Sequence, residues 1–107
     1  MNKTITFEYN NVNYTLEYTR KTVSQIERLG FDYNTISTKP VTAISILFRG
    51  AFFAHHSTIP VEQIDKILEN FDKTDLLSTL SDMYIETVNS LFDEGNDSKN
   101  AIKWKVS

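Results

Sequence analysis

The sequence predicts an α+β fold: an amino-terminal antiparallel β-hairpin packed on a four-helix bundle, with a short strand at the carboxyl end. Two observations carry most of this. Residues 5–18 alternate apolar and polar side chains with a period of two, and residues 22–92 change to apolar spacings of three and four. A third is the placement of Pro40 and Pro60 at the heads of two apolar-rich stretches, which divides the helical part into segments. At 107 residues the chain has room for one domain, placed at residues 1–95, followed by a linker and tail over 96–107.

In the hairpin, Ile5, Phe7 and Tyr9 alternate with Thr4, Thr6 and Glu8, and Val12, Tyr14, Leu16 and Tyr18 alternate with Asn13, Thr15 and Glu17. Aromatic and β-branched residues at that period are a strand signature. Asn10-Asn11 supplies two residues that tolerate the positive φ of a primed turn. Setting Tyr9 opposite Val12 pairs Phe7 with Tyr14 and Ile5 with Leu16, so the apolar side chains share one face. A slip by one residue would put half of them in water. A two-stranded sheet is marginal without cover on that face, and the helices must supply it.

Val23, Ile26 and Leu29 form the first apolar stripe, with Thr19 or Thr22 as its cap, Gly30 as its stop and Phe31 folding back on its end. Residues 32–39 read as a polar connection. Pro40 suits a first helical turn, with Thr38 as the cap. Residues 41–56, VTAISILFRGAFFAHH, are apolar almost all round, which predicts a central helix packed from several sides. Gly50 costs such a helix about 1 kcal/mol relative to alanine, so it marks a close crossing by a neighbour. After Pro60, the residues Val61, Ile64, Ile67, Leu68 and Phe71 lie opposite Glu62, Asp65, Lys66 and Glu69. Thr74 is expected to cap the last helix, residues 75–92, with Leu76, Leu77, Leu80, Met83, Tyr84, Val88, Leu91 and Phe92 as its stripe. Asp93-Glu94-Gly95 is expected to end it. The expected core is Ile5, Phe7, Tyr14, Leu16, Ile44, Leu47, Phe48, Ala51, Leu77, Leu80, Tyr84 and Val88.

Little in the chain points to chemistry. There is no cysteine, which excludes disulfides, thiolate nucleophiles and cysteine-ligated metals. His55 and His56 are adjacent, so on a helix they point about 100° apart and do not chelate one metal from one face. Three glycines, at 30, 50 and 95, leave no phosphate-cradling loop. No serine sits in a nucleophile elbow, and the carboxylate pairs Asp72/Asp75 and Asp93/Glu94 fall on exposed helix ends. The expectation is a protein that is not an enzyme and has no cofactor and no metal. No apolar run approaches the roughly 18 residues of a membrane span, and the amino terminus reads as a polar strand, not a signal peptide.

Charge is unevenly placed. Residues 1–58 carry 6 basic and 4 acidic side chains, residues 59–95 carry 2 and 9, and residues 96–107 carry 3 and 1, which sum to the net −3. The helix pair over 61–92 could be read as a helix-turn-helix, but its only basic residues are Lys66 and Lys73. Its negative charge opposes phosphate, so nucleic acid is not an expected partner. The apolar excess of LFRGAFFAHH favours self-association. Phe52 and Phe53 are therefore candidate partner-binding residues, together with Ile102, Trp104 and Val106 of the tail. In the tail these three alternate with Lys103 and Lys105, which suits an edge strand added to the chain's own hairpin or to another chain.

The opening ITFEYNNVNYTLEYTRKTV, then ERLGF, a proline-led LFRGAFFAHH and a late LLSTLSDMY together resemble the small tail assembly chaperones of long-tailed phages and prophages of Gram-positive bacteria. The pattern covers roughly residues 5–92, and its order and spacing carry the resemblance. It implies a non-enzymatic binding protein of the host cytoplasm, absent from the mature virion. Such chaperones coat the tape measure protein while the tail polymerises, and a longer frameshifted product contacts the major tail protein. A tape measure gene just downstream, with an overlapping second reading frame, would distinguish this from another small interaction protein of a mobile element, such as a head–tail joining factor or a regulator of host machinery.

Overall fold

The computed structural model describes residues 3–97 and 102–106. Strands β1 (Ile5–Tyr9) and β2 (Val12–Leu16) form a two-stranded antiparallel sheet. Its register is the one the alternation dictates: Ile5 opposite Leu16, Phe7 opposite Tyr14 and Tyr9 opposite Val12. Asn10 and Asn11 take φ of 50° and 64°, the left-handed pair of a primed turn. Tyr14 and Leu16 are buried, Ile5, Phe7 and Tyr9 are half-buried, and Val12 beside the turn is exposed. Regular strand ends at Leu16, yet the period persists: Tyr18 is fully buried and its hydroxyl donates to the Leu47 carbonyl at 2.7 Å.

Where four helices were expected, the described residues form five: α1 (Arg20–Arg28), α2 (Thr35–Thr38), α3 (Pro40–Phe52), α4 (Val61–Leu68) and α5 (Lys73–Asp97). Thr19 caps α1 through a reciprocal box, its Oγ1 accepting from the Thr22 N–H at 3.3 Å while its own N–H donates to Thr22 Oγ1 at 2.8 Å. Gly30, at φ 92°, turns the chain so that the Phe31 N–H donates back to the Ile26 carbonyl at 3.4 Å. Phe31 is thereby buried and takes the place on the stripe expected of Leu29, which is exposed. The expected polar connection contains α2, opened by Asp32, whose Oδ1 accepts from the Thr35 N–H at 3.1 Å. It carries the half-buried Ile36.

Helix α3 is central, packing against α1, α2, α4, α5 and β2. It begins at Pro40, but Thr38 is not its cap: Thr38 closes α2, its Oγ1 donating to the Asn34 carbonyl. It stops at Phe52 instead of continuing to residue 56. A Cβ on Gly50 would collide with Ile26 Cγ1 and lie 2.5 Å from Ile26 Cδ1, so the glycine marks the α1–α3 crossing, as expected. Arg49, the one charge inside α3, bonds Asp65 of α4 through Nε (3.2 Å) and Nη2 (2.9 Å).

Asp72, not Thr74, heads α5: its Oδ1 accepts from the Thr74 N–H at 3.1 Å. The helix also runs through Gly95 to Asp97, past the expected stop and the expected domain boundary at residue 95. Phe92, assigned to the stripe, is exposed. Of the twelve expected core residues, eight are buried, while Ile5, Phe7, Leu77 and Val88 are half-buried against the core. Phe7, Phe48, Phe52 and Phe71 meet edge to face within it, with centroids 5.1–6.4 Å apart. Residues 102–106 form no strand. Residues 98–101 and 107, on which the rest of the linker and tail reading falls, lie outside the described residues.

Candidate functional site

Two rows of side chains leave α5 on neighbouring faces. Leu76, Leu80, Met83, Tyr84 and Thr87 point into the core. Leu77, Ser81 and Ile85, four residues apart, form a second row and line a groove between α5 and the start of α3. Pro40, Val41, Ile44 and Ser45 supply the opposite wall, and Tyr33 and Ile36 close one end. Because α2 is a single turn, it holds Ile36 beside Pro40 without covering Val41, which is 79% exposed. The groove has a volume of about 560 Å³ and is mostly apolar, with Lys73 and Asp82 also among its lining residues.

One polar atom in this wall stands out. Ser81 is buried, and its Oγ has no hydrogen-bond partner among the described residues. A buried hydroxyl left unpaired costs about 1–3 kcal/mol, and an occupant of the groove with a polar group could relieve that cost.

The second feature is the pair of sheet edges. With Tyr9–Val12, Phe7–Tyr14 and Ile5–Leu16 as hydrogen-bonded pairs, Thr15 and Glu17 turn their N–H groups away from β1. The Thr15 N–H donates to His56 Nε2 at 3.0 Å, and the Glu17 N–H donates to the Ala51 carbonyl at 3.0 Å. Ala51 at the end of α3 and His56 just beyond it thus hold the outer edge of β2 at Glu17 and Thr15. His56 can accept only through an unprotonated Nε2, and burial, followed by the neighbouring His55, lowers its pKa from the ordinary 6.5. His55 Nε2 lies 2.7 Å from Glu17 Oε1. On the other side of the sheet, no hydrogen bond closes the outer edge of β1 among the described residues.

The candidate residues from the sequence are not brought together. Phe52 is fully buried, its ring set against Phe48, Tyr14 and His56, so the expectation that it faces a partner is corrected: it is a core residue. Phe53 is half-buried at the end of α3. Ile102, Trp104 and Val106 are 87%, 80% and 87% exposed. The sequence alone does not mark Tyr33, Ile36, Val41, Ser81 or Ile85 of the groove as site residues. The available signal was the width of the α5 stripe, which is broader than one buried face requires. Among the described residues no cluster of His, Asp or Glu could hold a metal ion, and no helix is long and apolar enough to cross a membrane.

The fold and its surfaces define a small α+β protein with an open apolar groove and an outer β1 edge that no described residue bonds. The chain belongs to the family described as a domain of unknown function (DUF5055), whose model matches residues 1–107. No curated protein and no solved structure matches it.

Proposed function

We propose that the chain is a phage-type tail assembly chaperone, a non-enzymatic protein that holds an apolar helical stripe of the tape measure protein until the tail encloses it. The observation that carries this reading is the groove between α3 and α5: apolar, open along its length, with an unpaired buried hydroxyl in its wall. An amphipathic helix laid in it would place aliphatic side chains against Val41, Ile44, Leu77 and Ile85, the helix-in-groove mode of recognition. The four longer helices α1, α3, α4 and α5 serve as the bundle that presents the groove. Shedding requires weak individual sites used many times over, which suits a shallow groove on a small protein. In this reading the chaperone works in the host cytoplasm, needs no cofactor and binds no nucleic acid. Contact with the major tail protein would come through a longer frameshifted product.

Co-expression with a tape measure protein of a long-tailed phage tests the proposal, with the soluble yield of that protein as the readout. Val41→Lys in the groove should abolish the solubilising effect, and Phe92→Lys, equally exposed but outside the groove, should preserve it. Equal yields with the wild type and Val41→Lys would overturn the assignment of the groove.

A further inference from the structure

We propose that the outer edge of β1 is a docking edge for the carboxyl-terminal segment 102–106 of a second copy of this chain, which adds there as a third strand. The edge is open: Thr6 and Glu8 direct their N–H and C=O groups outward, and no described residue bonds them. An exposed edge of this kind is a template for strand addition.

The segment carries the matching pattern. Ile102, Trp104 and Val106 alternate with Lys103 and Lys105, and its own copy leaves all three apolar side chains 80–87% exposed. Added to β1, the three would continue the face of Ile5, Phe7 and Tyr9, which is only half-buried. Lys103 and Lys105 would then stand on the side of Thr6 and Glu8, where opposite charges on adjacent strands attract.

Just beyond Ile5 lies a place for a large side chain. Ile5, Phe71, Leu76 and Thr79 line an apolar hollow of about 280 Å³, bordered by Asp72 and Asp75. These carboxylates and Glu8 face a segment whose charges among residues 102–106 are both positive. At the other sheet edge the Thr15 and Glu17 N–H groups are already bonded, and Lys103 and Lys105 on the added strand disfavour pairing with a further one. Two copies exchanging tails would form a closed pair and not a fibre. This surface is separate from the groove, so the two proposals stand or fall independently.

The chain has one tryptophan, so its fluorescence reports on residue 104 alone. Purified full-length protein should shift its emission to the blue and double its mass as concentration rises, measured by fluorescence and analytical ultracentrifugation. Trp104→Ala and Thr6→Pro should each weaken the pair on the order of tenfold or more. The Thr6 N–H is not in the hairpin ladder, so proline there spares the existing strand pair. Should Thr6→Pro fail to fold in a melt, Trp104→Ala and the emission series still decide. A monomer with solvent-exposed emission at every concentration would overturn the proposal. A blue-shifted monomer would also overturn it, since the segment would then dock on its own chain, as would a pair that both folded variants form as tightly as the wild type.

Discussion

Replacing Gly50 by alanine sets two effects of opposite sign against each other at one atom. Alanine favours a helix interior over glycine by about 1 kcal/mol. Here the added methyl would collide with Ile26 Cγ1 and lie 2.5 Å from Cδ1. Ile26 is fully buried, and a β-branched side chain has few rotamers to retreat to. Nor can α1 back away freely, since the Thr19–Thr22 cap and the buried Phe31 fix its two ends. Overpacking costs about 1–3 kcal/mol, and two contacts this close on a buried β-branched side chain place it in the upper part of that range, about 2–3 kcal/mol, so the net effect is a loss of about 1–2 kcal/mol. For a domain near 100 residues, that lowers Tm by about 4 °C or more. Thermal unfolding followed by circular dichroism measures it. The cause is isolated by a cycle with Ile26→Ala, which removes the clashing atoms: the double variant should be more stable than the sum of the single losses by the relieved overpacking, about 2–3 kcal/mol. A rise in Tm for Gly50→Ala alone would refute the argument, because propensity would then have outweighed the crossing.

Two further outcomes follow from the contacts of the hairpin. The folded chain lowers the pKa of His56, so the unfolded chain holds that proton more tightly. This contribution is complete above about pH 6.5 and is lost as pH falls through the folded value. Denaturant midpoints from pH 8 to 5 should therefore fall more steeply in the wild type than in His56→Ala, in which His55, Glu17 and Tyr14 remain; equal slopes would show that the Thr15–His56 bond contributes nothing. Tyr18→Phe removes a buried donor from the Leu47 carbonyl and should cost about 1–2 kcal/mol in denaturant unfolding, with a wild-type midpoint as the contrary result.

The hairpin was legible down to its register because three local signals agree: the period, the Asn-Asn turn and the apolar face. Gly50 was legible for the same reason, since an uncompensated glycine in an apolar helix needs a neighbour to explain it. What the sequence hid is what depends on distant partners. His56 reaches Thr15 across 41 positions, and no window shows that it closes a strand edge. α2 has one apolar residue, too few for a period to register. The cap of α5 was placed two residues late because Asp72 and Thr74 are both acceptable caps by type. Its end was placed early because Gly95 is only a modest penalty near a terminus. Of the groove walls, the sequence marks only Ile44 and Leu77, each on a stripe assigned to the core. Their meeting over an uncovered Val41 depends on how α2 sits, which no stripe encodes.

The buried contacts of the hairpin also fix an order of events during synthesis. Its two strands precede every helix in the chain and can pair within microseconds. Yet Tyr18 waits for Leu47, Thr15 for His56, Phe7 for Phe71 and Phe31 for Tyr84. At about 5–20 residues per second the interval from Tyr18 to Tyr84 lasts roughly three to a dozen seconds. Throughout it, a ribosome-bound hairpin carries an aromatic face with nothing to cover it. The nascent chain therefore passes through a window of exposure far longer than the pairing time of its hairpin, and conditions that slow elongation past residue 56 should lower its yield before they alter the finished protein.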